Sequence, residues 1–182
     1  MSFNHEALAV QIGILRNFAF HLTHHRHLQK SQIIDKRKLQ FWLDTSDAHL
    51  LQAAICWSMV FGSRDNNPTH WIKMFDADST ADRDKFRQDL LIHLKIRKAK
   101  WDTYWEEMKE FRDNFAAHKS CEPYNRPIPK FDLALKAALF FDQWIEHYEE
   151  TTIFSGPSLK TSIAIVSKSD RAEFKSIIAR LQ

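Results

Sequence analysis

WDTYWEEMKEFRDNFAAH, residues 101–118, sets Trp101, Tyr104, Trp105, Met108, Phe111 and Phe115 at intervals of three and four, the spacing that draws one apolar stripe along a helix. Such a stripe needs other apolar elements to cover it, and the rest of the chain offers helices for the purpose. Only 3 glycines and 5 prolines occur in 182 residues, and no Asn-Gly or Asp-Gly pair is present, so hairpin chemistry is scarce. The fold class expected is all-α, an up-and-down bundle of four or five helices with a C-terminal helical appendage.

Working outward, a first helix is expected from about Phe3 to Leu28, with Ala7, Val10, Ile14 and Phe18 on one strip and Leu8, Leu15, Ala19 and Leu22 beside it. A second should start after the cap-rich run Asp44-Thr45-Ser46-Asp47 and stop at Gly62 in left-handed geometry. The run SRDNNPTHW reads as a loop, and Ser79 as the cap of a third helix reaching about Lys98. The fourth covers Trp101 to His118. Pro123, Pro127 and Pro129 then break the chain before a fifth helix at about Phe131 to Glu149. SGPSLKTSIAIVSKS reads as a linker with a short β-prone run, followed by a final helix at about Asp170 to Leu181 with Ser169 as its cap. The expected organisation is one helical domain over 1–154, with linker and C-terminal helix over 155–182 packed on that domain or on a partner.

A hydrophobic content of 44%, 13% of the chain aromatic, is ample for a core without staples. Cys56 and Cys121, far apart in sequence, supply neither a disulfide framework nor a cysteine-rich zinc site, which suits a reducing cytoplasm. The N-terminal apolar stretch has no basic region before it and is interrupted by His5, Glu6, Gln11, Arg16 and Asn17, so neither a signal peptide nor a membrane span is expected. A net charge of +3 does not identify a nucleic-acid binder, though it permits phosphate attraction from a locally basic face.

Arg112 falls inside the apolar stripe of residues 101–118, where an unpaired charge is too costly to bury. It must meet a carboxylate from another helix, snorkel to the rim, or face a wet site. His118 lies six residues further on, rotated about 120° and roughly 9 Å along an ideal helix. The two can meet around a phosphate only if Arg112 reaches toward the C-terminus, the helix bends, or two chains share one site. A histidine in a last helical turn is also favourable for the dipole alone.

FRDNFAAH resembles the signature of the HEPN family of helical-bundle domains: an arginine, a polar residue, and a histidine after a short gap. Here Arg112 is followed by Asp113 and closed by His118. The aromatic helix before it, the proline break and the long helix LALKAALFFDQWIEHYEE after it agree, and CWSMVFGSRDNNPTHW is similar to segments of the family's abortive-infection branch. The resemblance spans most of residues 44 to 150. It implies a metal-independent endoribonuclease without cofactor, acting on RNA as a homodimer, plausible as toxin or effector in a prokaryotic defence or toxin-antitoxin system with a protein partner. Arg112 would bind the scissile phosphate and stabilise developing charge. His118 would move a proton for attack by the RNA 2′-hydroxyl. Asp113 would orient either of them. Family members also include inactive modules that bind RNA or a protein partner, so the motif leaves that second reading open.

LKIRKAKW places Lys95, Arg97, Lys98 and Lys100 just before the motif helix, either as a track for an RNA backbone or as a solvated helix end. His21, His24, His25 and His27 include a one-turn pair compatible with metal ligation, but no neighbouring Asp, Glu or Cys in sequence completes a set, so dipole and solvent exposure explain the run and no metal is expected. His70 and His147 read as packing or surface residues. Trp57, Trp101, Trp105 and Trp144 read as core. No phosphate-binding glycine loop, Ser-His-Asp order or zinc-protease string is present.

Overall fold

The computed structural model describes residues 3–31, 39–76, 78–117, 126–148 and 156–181, and among these it has six α-helices and no strand beyond a single bridge between Phe3 and Phe75. The all-α expectation holds. Among the described residues no helix is long and apolar enough to cross a membrane.

Helix α1 is His5–Lys30, started by Asn4, whose side-chain oxygen accepts the Ala7 N–H at 3.1 Å. It buries Leu8, Ile12, Leu15, Phe18, Ala19 and Leu22. Val10 is 48% exposed, so the expected strip through Ala7, Val10 and Ile14 turns toward the rim. Packing selects the other edge of a wide apolar arc, where fully buried Gln11 donates to the His70 carbonyl at 2.9 Å.

Helix α2 is Leu39–Phe61, so the run Asp44 to Asp47 lies inside it rather than at its start. Those polar side chains are satisfied without ending the helix. Thr45 donates back to the Phe41 carbonyl at 2.7 Å, Asp44 accepts from Gln40 at 2.7 Å, and buried Ser46 accepts from Gln29 of α1 at 3.0 Å. Gly62 does follow the last residue, but not in left-handed geometry. Its role is close approach: a Cβ there would stand 2.3 Å from the Ser58 oxygen. A 3₁₀ turn, Trp71–Met74, closes the following loop, and the Asn4 N–H bonds the Met74 carbonyl at 2.8 Å.

Helix α3 is Thr80–Leu94, shorter than expected at its C-terminal end. Ser79 occupies the cap position without a side-chain bond. Lys95, at φ 54°, turns the chain back, with the Ile96 N–H on the Leu91 carbonyl. Helix α4 is Lys98–Phe111, and Arg112–Ala117 continues it as a π-helical turn. Helix α5, Asp132–Tyr148, buries Ala134, Ala137, Ala138, Phe140, Phe141, Trp144 and Ile145. Its small residues admit neighbouring helices closely, and it packs on α1, α3 and α6.

Helix α6 is Leu159–Leu181, a single helix where a linker, a β-prone run and a cap at Ser169 were expected. Tertiary contacts override the β-branched residues Thr161, Ile163, Ile165 and Val166. Asp142 of α5 accepts the Leu159 N–H at 2.7 Å, Ser158 caps the Thr161 N–H, and Leu159 and Ser162 are buried. The helix lies mainly against α1.

Two aromatic clusters knit the helices together. Trp57 of α2 meets Phe61, Trp101 and Tyr104, which ties α4 to α2. Phe86 of α3 meets Trp71, Phe75, Phe140, Phe141 and Trp144. All four tryptophans assigned to the core are buried or half-buried, and Trp105 donates to the Phe61 carbonyl at 2.6 Å. The π-helical turn rests on α2, which mounts the Arg112 segment on a core helix.

Candidate functional site

Tyr104, Met108 and Phe111 hold α4 in the core, and Phe111 also meets the rings of Phe115 and Phe131. Arg112 opens the π turn that follows, with its own backbone still α-helical. Its side chain is only 24% exposed, and its anion is supplied by the next residue rather than by another helix. Asp113 Oδ1 accepts from Arg112 Nε at 2.6 Å and from Nη2 as well, while Lys109 stands 3.8 Å from Asp113 Oδ2. Both Nη1 hydrogens and one on Nη2 point away from that carboxylate. The guanidinium is thus paired with one carboxylate, fixed in direction, and still has N–H donors for a phosphate. Single π turns inside α-helices are rare and concentrate at functional sites.

The α-helical reckoning that set Arg112 and His118 about 120° apart does not apply to this turn. His118 itself lies outside the described residues, as does Cys121; Cys56 is buried as a free thiol, its pKa raised by burial. Phe115 is 48% exposed one residue beyond Asn114, whose side chain donates to the Glu110 carbonyl at 3.1 Å.

Alongside α4 runs a cleft of about 730 Å³, walled by the α3–α4 turn, the proline segment and the start of α5. Of the four basic residues expected to meet RNA, Lys95 and Lys100 line it. Arg97 is instead the cap residue of α4, and Lys98 is paired with Asp102 at 2.5 Å. Arg126, Lys130 and Lys136 also line the cleft. Arg126 and Lys130 were missed because CEPYNRPIPK was read only for its prolines, and Lys136 because it sits on α5, remote in sequence from the basic run at 95–100. Tyr104 fixes the far wall: its hydroxyl donates to the Lys130 carbonyl at 3.0 Å and accepts the Ala134 N–H at 3.1 Å. Burial raises that phenol's pKa well above the ordinary value, so it stays neutral.

The histidine run is not a solvated helix end. His24 and His27 both direct Nδ1 at one oxygen of buried Asp170 in α6, at 2.8 and 3.0 Å. His21 Nδ1 lies 2.8 Å from His49 Nδ1 of α2, and His25 bonds the Ser46 carbonyl at 2.9 Å. Sequence proximity could not reveal partners so distant along the chain. Among the described residues no group of three or more His, Cys, Asp or Glu side chains is placed to hold a metal ion. His70 is buried, accepts the Ile72 N–H at 3.2 Å, and has its pKa lowered to about 4 by burial and then by the charges of Arg64 and Arg87. His147 is exposed.

The chain matches no protein-family model, no curated protein and no solved structure.

Proposed function

We propose that this chain is a metal-independent endoribonuclease of HEPN type, working as a homodimer on single-stranded RNA. The observation that carries the proposal is the Arg112–Asp113 pair: a permanently charged fork, held by its neighbour at a half-buried surface, in a π-helical turn that ends one residue before His118. An arginine that only neutralised a core carboxylate would find its partner on another helix. This one is oriented locally and keeps donors for a ligand.

In the proposed reaction Arg112 binds the scissile phosphate and stabilises the charge that grows on its oxygens. His118 takes the proton of the RNA 2′-hydroxyl, which attacks the adjacent phosphorus; the bond to the 5′-oxygen breaks and that oxygen receives the proton back from His118 through water, leaving a 2′,3′-cyclic phosphate and a 5′-hydroxyl. Asp113 positions the guanidinium. Two copies of the motif meeting at a two-fold interface would share the cleft between them. Such an activity suits a toxin or effector of a prokaryotic defence or toxin-antitoxin system, restrained by a protein partner.

The test is cleavage of single-stranded RNA in excess chelator, with product ends analysed. Cyclic phosphate termini are expected, and a 2′-deoxy unit at the cleaved position should stop the reaction. His118→Ala should lower the rate by about a hundredfold or more, and Arg112→Ala should lose roughly 3 to 4 kcal/mol of transition-state stabilisation. RNA that is bound yet never cut, or a His118→Ala protein that cuts as well as the parent, would replace this reading with that of a non-catalytic RNA-binding module.

A further inference from the structure

The cleft along α4 carries more positive charge than its own carboxylates answer. Glu110 is taken by Arg126, and Asp132 is held at 2.6 Å by Arg26. Glu107 is the remaining acid on its walls, against Lys95, Lys100, Lys130 and Lys136, all exposed and none in a described ion pair. Lys95 occupies the left-handed residue of the α3–α4 turn at φ 54°, a conformation that glycine takes at no steric cost. A long cationic side chain is therefore presented at the mouth of the cleft from a position where the backbone favours having none.

The lining is mixed: Ile96, Leu133 and half-exposed Ile128 join the lysines, with Pro127 and Pro129 stiffening one wall. Point charges spaced around apolar surface match a chain whose phosphates and flat bases alternate. Lys100, Tyr104, Glu107 and Glu110 follow one face of α4, so the cleft leads from the lysine mouth to the Glu110–Arg126 pair. Arg112 stands two residues beyond Glu110 and about 200° round the helix from it, past the end of the cleft.

We propose that this cleft is the track for single-stranded RNA, with Lys95, Lys100, Lys130 and Lys136 on its phosphates and its bases against the apolar lining, the strand crossing the C-terminal end of α4 to reach Arg112. The proposal rests on the ribonuclease reading for its direction and its ligand. It excludes Arg97 and Lys98 from the contacts, and it makes Glu107 an opposing charge rather than a ligand.

Binding separates the two claims, because a 2′-O-methyl oligouridylate of about ten nucleotides can occupy a track but offers no nucleophile. Its affinity for the full-length protein should fall more than tenfold in the triple variant Lys95→Ala, Lys100→Ala, Lys136→Ala. The slope of log affinity against log salt should become shallower by about 2, from roughly 0.7 per lost single-strand contact. Glu107→Gln should act in the opposite sense and tighten binding. The same charge removed on exposed α6, by Lys160→Ala, Lys168→Ala, Lys175→Ala, should have a much smaller effect. Equal losses from both triple variants would mean bulk charge alone and overturn the track. So would uridine monophosphate binding as tightly as the oligomer, or polyglutamate displacing it equally well. RNA cleaved by a protein whose cleft variants bind normally would sink the track and spare the ribonuclease. Cleft-dependent binding without any cleavage would do the reverse.

Discussion

Gly62 illustrates how a single residue can be needed for what it lacks. With the Ser58 carbonyl oxygen 2.3 Å from the place a Cβ would take, Gly62→Ala must push backbone against backbone at the end of α2. A loss of about 1 to 3 kcal/mol is expected in chemical denaturation; an unchanged midpoint would show that the helix end relaxes freely. The sequence marked this glycine as a helix terminator and missed the reason, because close approach depends on a carbonyl whose position follows from packing. Arg112 was legible in a similar, partial way. Its place in an apolar stripe required an anion, and the anion proved to be Asp113, which no periodicity argument ranks above a carboxylate on another helix. Asp113→Asn tests its positioning role. Stability should move by only about 1 kcal/mol, because the half-buried pair is local and still reaches solvent, while cleavage by the proposed enzyme should slow by about tenfold or more as the guanidinium loses its fixed direction.

At the scale of elements, α4 and α5 were legible because their buried positions recur at helical spacing and proline stands between them. Helix α6 was half legible. Its first half carries Thr161, Ile163, Ile165 and Val166, which favour extended backbone locally, and its true starting signals come from Ser158 and from Asp142 on another helix. Burial raises the Asp142 carboxyl's pKa, and the bond from the Leu159 N–H opposes that shift. The same helix is pinned in its middle by Asp170, whose one oxygen serves both His24 and His27. Asp170→Ala removes the shared acceptor of two partly buried imidazoles, and a loss on the order of 1 to 3 kcal/mol follows from the unmet donors. Because the pin is local, amide exchange should accelerate over α6 well before it does over α5. Uniform acceleration through both helices would instead mark α6 as an inseparable part of one cooperative unit.

For the whole molecule, the histidines set how stability responds to acid. His70 is held near pKa 4, and those of His21 and His49 are lowered from 6.5, each chiefly by burial. Neighbouring positive charge adds to this: Arg64, Arg87 and Lys73 at His70, His24 at His21, and His24, His21 and His25 at His49, where Asp170 acts in the opposite sense. The folded state therefore binds fewer protons than the unfolded chain between the two pKa values of each group. Stability contributed by these groups is complete above the unfolded value of about 6.5 and is lost as pH falls toward the folded values. His70 alone accounts for on the order of 3 kcal/mol across that range. The His21–His49 contact adds a geometric reason, since one ring must accept the other's proton and double protonation turns the bond into repulsion between α1 and α2. Denaturation midpoints should hold level from pH 8 to about 7 and then decline steadily toward pH 4.5. His49→Gln, which cannot gain charge, should flatten part of that decline while remaining folded at pH 7.5. A parent protein whose midpoint is unchanged at pH 5 would show that these three rings are protonated as readily in the fold as in water.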